Sequence, residues 1–263
     1  MGGRRCYRAG RENGNVGEYD SAVIRAVLFD FNGVLVDDEP IHLEAFQRVL
    51  AEEGIALTAE DYYGKYLGHD DRSCFAAVLG AAGEQPTMLS MSPTPGLMRL
   101  IVRKSSYYQE RIRERGYPLF PGAVELVREL AAAGRMLGIV SGALRDEVEG
   151  ALRQSGLRNL FKTVITAEDI AEGKPDPEGY LRALEALNSV PPLPERLIHP
   201  HEVLAVEDSP AGLAAAAEVG LVTLGVAQSY PAARLQGADA VAGSLRGMTL
   251  ASLETLLSRF SAR

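Results

Sequence analysis

The feature that most constrains this chain is an alternation of short apolar runs with helical stretches. One run spans Ile24 to Phe29 and ends at Asp30; "RMLGIVSG" ends at Ser141, "KTVITAED" near Thr166, and "EVLAVEDS" at Glu207 and Asp208, with "GLVTLGVA" following. Each is apolar throughout rather than at every second position, which marks a strand buried on both faces. Between them lie "AVELVRELAAAG", "RDEVEGALRQSG" and "SPAGLAAAAEVG", each closed by a glycine suited to a helix C-terminus. Strand then helix, repeated, predicts an α/β fold with a doubly wound parallel sheet.

From about Pro40 to Tyr117 the strand pattern stops and helical periodicity takes over, in "PIHLEAFQRVLAEEG", "DRSCFAAVLGAAG" and "GLMRLIVRKSSYYQERIRERG". The expected organisation is a disordered tail at 1–22, a core at 23–38 and 118–263, and an inserted all-helical cap at 39–117. The proline-bearing stretch "EQPTMLSMSPTPG" reads as a loop inside the insertion. A second proline cluster, 188–202, lengthens the approach to the "VLAVEDS" strand and has no functional reading.

Several partner classes are disfavoured. No apolar run approaches the length of a membrane span, so a soluble protein is expected. A net charge of −8 argues against nucleic acid and anionic membranes as partners, since these need a clustered positive face. Cys6 and Cys74 show neither a disulfide framework nor metal-binding spacing, and the Arg- and Gly-rich start has no apolar segment of the secretory kind. The expectation is a cytoplasmic monomer or small homo-oligomer.

The polar residues at the strand ends carry the chemistry. In an open parallel sheet, ligands bind beyond the carboxyl ends of the strands, where loops converge and helix N-termini point outward. Asp30, Ser141, Glu207 and Asp208 stand at those ends, and Lys174 of "EGKPDPEGY" follows another strand. Singly they have plain readings: a turn residue, a pair of helix caps, a solvated loop lysine. Gathered on one rim they suit a magnesium ion and a phosphate, with hard carboxylate oxygens for the metal and a cation and hydroxyl for the phosphate oxygens.

With "DFNGV", "VSG", "GKPDP" and "VEDSPAG" in this order, the sequence resembles the haloacid dehalogenase superfamily, in the branch with a helical cap inserted after the first motif, from about Arg25 to Leu257. The resemblance implies a Rossmann-like core and a phosphotransferase acting on a small phosphorylated molecule. Asp30 would be the nucleophile that forms an aspartyl-phosphate. The main-chain carbonyl of Asn32, Asp30 and Asp208 would hold Mg2+, with Glu207 in support. Lys174 would offset the repulsion between Asp30 and phosphate, and Ser141 with the Gly142 amide would hold the transferring group. The cap is similar to that of beta-phosphoglucomutase and sugar-phosphate phosphatases. His42 and Lys104 match its substrate-contacting positions, and Arg72 stands one residue away from a third.

Asn32 departs from the pattern. Phosphatases and mutases of this superfamily carry at that position an aspartic acid that protonates the leaving group and then activates water. An amide does neither, and general acid–base help is typically worth about 10²–10⁴ in rate. The expectation is therefore a slowed phosphohydrolase, unless His42 or one of Asp37, Asp38 and Glu39 carries the proton. The alternatives are a phosphosugar mutase and a phosphometabolite-binding protein with little turnover.

Overall fold

A computed structural model describes residues 24–82 and 95–258. The expected tail, Cys6 and most of the first proline-bearing loop lie outside the described residues. Six parallel strands form one sheet in the order β3-β2-β1-β4-β5-β6: β1 Ala26–Phe29, β2 Met136–Val140, β3 Phe161–Ile165, β4 Val203–Glu207, β5 Val222–Val226 and β6 Ala240–Ala242. Five match the apolar runs. The sixth, three residues at the sheet edge, is too short to stand out from its surroundings. Central β1 pairs with β2 on one side and β4 on the other, Ala26 lying opposite both Met136 and Val203.

Alternate residues of β1 enter two different cores. Val27 and Phe29 pack with α5 (Ala123–Ala132), α6 (Arg145–Ser155) and α9 (Leu250–Ser258). Ala26 and Leu28 pack with α7 (Glu178–Ser189) and α8 (Pro210–Val219). A strand covered on both sides has no place for a polar residue before its end, which is why the run is uniformly apolar.

Between β1 and β2 the chain forms α1 (Glu39–Glu52), a short α2 (Ala59–Asp61) continuing into a π-helical turn at Tyr62–Tyr66, α3 (Asp71–Ala81) and α4 (Pro95–Arg115). The proline-bearing loop is shorter than its sequence implies, because Pro95 and Gly96 open α4; proline is tolerated in a first helical turn, where its missing N–H has no partner to lose. The four helices share an apolar cluster built on Phe46, Phe75, Tyr62 and Leu100. Ile41 and Ala45 of α1 and Tyr108 and Ile112 of α4 instead join the cluster on the sheet. Among the described residues no helix is long and apolar enough to cross a membrane.

The second proline cluster proves to be a tied-down connection. The Asn188 side chain bonds the backbone N–H and C=O of Ile198, and Lys162 donates to the carbonyls of Leu187 and Pro192. At its end Glu202, 5% exposed, pairs with Arg25 and Arg196 and accepts from the His199 N–H. The guanidinium of Arg196 beside it holds the Glu202 carboxyl down at about 2.

Candidate active site

Three strand ends and one loop meet at the carboxyl edge of the sheet. Asp30 directly follows β1, its N–H bonded to the Val206 carbonyl of β4. Glu207 is the last residue of β4 and Asp208 the next. Ser141 follows β2, and its hydroxyl accepts from the Ala143 N–H. Lys174 comes from the loop before α7, and its ammonium makes three contacts: Asp30 at 2.8 Å, Glu207 at 2.6 Å and the Val140 carbonyl at 3.0 Å. Those use all three of its donors. Glu207 is fully buried and also accepts from the Tyr180 hydroxyl at 2.6 Å.

Carboxylate oxygens of Asp30, Glu207 and Asp208 lie within 4.8 Å of one another, all buried. Burial, then repulsion from Glu207, raises the Asp30 carboxyl to about 7 against the pull of Lys174. Burial and the charges of Asp30 and Glu207 push Asp208 well above the usual carboxylate range. Burial works against the Lys174 charge, yet the two carboxylates beside it hold its pKa above the ordinary lysine value. Three buried acids facing one lysine carry more negative charge than it can offset, and hard oxygen donors so placed fit a divalent cation such as magnesium. Tight geometry follows from the turn after β1: Gly33 has φ +75°, and a Cβ there would sit 1.9 Å from Asp208 Oδ2 and 2.5 Å from the Ser229 hydroxyl.

Asn32 lies at the edge of this group with its amide committed elsewhere. Its Nδ2 donates to both carboxylate oxygens of Asp38 at 3.0 Å. Asp38 is 1% exposed and also accepts from the Tyr108 hydroxyl at 2.6 Å, with His42 Nε2 at 3.5 Å. Burial favours a neutral Asp38, but His42, Tyr108 and Asn32 together hold its pKa below the usual value. His42 stacks on Tyr108, and its Nδ1 stands 2.6 Å from Lys104 Nζ, which reaches Asp71 at 2.6 Å. His42 and Lys104 are thus brought together, in one polar chain leading from Asn32 into the helical insertion. Lys104 comes from a run that reads equally well as a solvated face, yet it is 3% exposed. Arg72 is exposed at the start of α3, beside Asp71, and does not line the cleft.

Above Asp30 opens a cleft of about 670 Å³, with Asn32, Ser141, Gly142, Lys174 and Asp208 in its wall. It is lined as well by Glu39, Gly68 and Asp70 from the insertion and by Ser229, Tyr230 and Arg234 from the segment after β5. Ser229, Tyr230, Arg234 and Asp70 escape sequence reasoning: they belong to no spaced motif, and only folding brings their segments over the strand ends. Of the acids named as proton carriers, Asp38 contacts Asn32 and Glu39 lines the cleft, whereas Asp37 is exposed.

A family model described as haloacid dehalogenase-like hydrolase matches residues 24–220. The chain is 27% identical over 232 residues to validoxylamine A 7'-phosphate phosphatase of Streptomyces hygroscopicus subsp. limoneus, covering 82% of this chain and 91% of that protein. It is 28% identical over 198 residues to a phosphorylated carbohydrates phosphatase of Thermotoga maritima, covering 75% and 82%. Among solved structures, CbbY from Rhodobacter sphaeroides in complex with phosphate superposes with a TM-score of 0.71 at 26% identity, over 88% of this chain and all of that one.

Proposed function

Since the chain belongs to the haloacid dehalogenase-like hydrolase family, we propose that it is a magnesium-dependent phosphohydrolase acting on a small phosphorylated metabolite, a sugar phosphate first, through an aspartyl-phosphate on Asp30. The observation that carries this is the contact of Lys174 with both Asp30 and Glu207 beside Asp208. The two phosphatase relatives, each named for a phosphorylated substrate, point to the same chemistry. In this reading the core comprises residues 23–38 and 118–263 and the cap residues 39–117.

Asp30, Asp208 and the Asn32 main-chain carbonyl would hold the magnesium ion, with Glu207 supporting them through Lys174. When bound, the ion supplies positive charge that offsets repulsion between Asp30 and the incoming phosphate and aligns the phosphoryl oxygens. Asp30 attacks phosphorus, the ester oxygen departs, and the aspartyl-phosphate is then opened by water. Ser141 and the Gly142 amide hold the phosphoryl oxygens, and Lys174 keeps Asp30 aimed from one side.

Asn32 donates to Asp38 and carries no transferable proton, so both halves of the reaction lack an acid–base group at this position. That same observation supports a second reading, a phosphosugar mutase, because a phosphoenzyme that water opens slowly can outlast the exchange of bound sugar. A protein that binds phosphometabolites with little turnover is its limiting case.

The test is phosphate release from a panel of sugar phosphates and an aryl phosphate with magnesium, for the unmodified protein, Asn32→Asp and Asp30→Asn. Asp30→Asn is expected to be inactive, and Asn32→Asp to gain about 10²-fold or more. Fast turnover by the unmodified protein with no gain from Asn32→Asp would show that another group moves the proton.

A further inference from the structure

The segment between β5 and β6 carries none of the sequence motifs, yet it touches the turn after β1, Asp208 and the helical insertion. Gln228 donates to the Gly33 carbonyl at 2.8 Å, fixing the turn after β1. Ser229 bonds Asp208. The Tyr230 hydroxyl donates to the Leu67 carbonyl of the helical insertion at 3.1 Å. Gly68, with φ +80°, lets the two segments close up: a Cβ there would stand 2.6 Å from that hydroxyl. A 3₁₀ turn at Ala232–Arg234 follows, anchored by the fully buried Leu235. The exposed Arg234 side chain stands at the cleft wall, its guanidinium 5.9 Å from the centre of the Tyr230 ring.

Charge distinguishes Arg234 from everything around it. Among the described residues that line the cleft, the cations are Lys174 and Arg234. Lys174 is taken up by Asp30 and Glu207. Arg234 forms no ion pair with any described carboxylate, and its guanidinium lies near the Tyr230 ring. The acids on its side of the cleft are otherwise engaged, Glu39 with the Tyr62 hydroxyl and Asp70 with the Ser73 N–H at the start of α3.

We infer that Arg234 is a second anion subsite, so that the preferred substrate is a phosphate ester bearing another anionic group, a carboxylate or a second phosphate, rather than a neutral sugar monophosphate. This deepens the phosphohydrolase reading and rests on it for the role of the first phosphate. A guanidinium presents paired donors that match carboxylate or phosphate oxygens two at a time. Arg234 is exposed at the cleft wall beside the Tyr230 ring, so a second anion can reach its guanidinium without displacing a carboxylate partner.

Equilibrium binding with magnesium tests the subsite, measured by calorimetry on Asp30→Asn so that no ester is consumed. Alkyl monophosphates of increasing length are compared with alkanediol bisphosphates and with phosphooxy carboxylates of the same lengths. At one spacer length the second anion is expected to tighten binding by about tenfold or more. Adding Arg234→Gln removes that gain and leaves monophosphate affinity unchanged, while Arg234→Lys keeps part of it. No gain at any length, or a gain that survives Arg234→Gln, overturns the inference; the bisphosphate and carboxylate arms identify the anion. Phosphate release by the unmodified protein from the same esters separates the two readings. Arg234-dependent binding without release keeps the subsite and removes the phosphohydrolase. Release from the monophosphates, with no gain from a second anion, does the reverse.

Discussion

Placing an acid at position 32 would set two carboxylates face to face, because the amide it replaces donates to both oxygens of Asp38. Asn32→Asp is therefore expected to lose roughly 1–3 kcal/mol of stability even as it gains turnover, since the buried Asp38 loses a half-buried donor and faces an acceptor instead. The double variant Asn32→Asp/Asp38→Asn reverses the direction of the hydrogen bond. It should recover at least about 1 kcal/mol relative to the sum of the single changes, as a double-mutant cycle in denaturant would show; additive effects would mean the contact contributes nothing. Asp30, Lys174, Glu207, Asp208 and Ser141 were legible because a parallel sheet delivers strand ends to one edge. The orientation of Asn32 was not, because it depends on Tyr108, far along the chain on another helix. Lys104 was ambiguous for the same reason: the partners that bury it, His42 and Asp71, sit on two other helices.

At the level of elements, the turn between β1 and α1 bears one of the closest tolerances among the described residues. Gly33 holds a left-handed conformation with the carboxylate of Asp208 where a side chain would begin. Gly33→Ala is expected to cost about 1–2 kcal/mol for the backbone alone and to displace Asp208, so that magnesium titrated into the variant gives no calorimetric binding signal. Retained magnesium binding would show that Asp208 is dispensable to the metal site. Strands β1 to β5 and helices α1, α3 to α6 and α8 were readable from apolar run length, helical periodicity and glycine stops, whereas α7, which ends at Ser189 with no glycine after it, was not. The edge strand β6 and the π-helical turn at Tyr62–Tyr66 were not, since three residues of Ala-Val-Ala and a five-residue aromatic turn have no period of their own. The segment after β5 was unreadable as part of the site because its function lies in tertiary contacts made by ordinary loop residues.

For the molecule as a whole, acid sensitivity has an identifiable local contributor far from the cleft. Glu202 ties Arg25, just before β1, to Arg196, before β4, and its carboxyl is held at about 2 against an ordinary 4.5. A depressed folded-state value stabilises the fold above the ordinary value and ceases to do so as pH falls through the folded one. Glu202→Gln should therefore lower stability near neutrality by on the order of 1 kcal/mol, given the exposure of Arg196. The gap from the unmodified protein should narrow as pH drops from 4.5 toward 2 in urea unfolding at stepped pH; a gap independent of pH would assign the loss to packing. The strand order has a further consequence, for biosynthesis. β1 lies at the centre of the sheet but is made before every strand it touches, and its partners begin at Met136 and Val203. The helices between can close on their own apolar cluster while β1 waits, so the order of manufacture runs opposite to the order of burial. A nascent chain interrupted before Val203 carries an apolar strand with one edge open in the middle of the unfinished sheet, a template for pairing with other chains. A pause in that stretch leaves this edge of β1 open to such pairing.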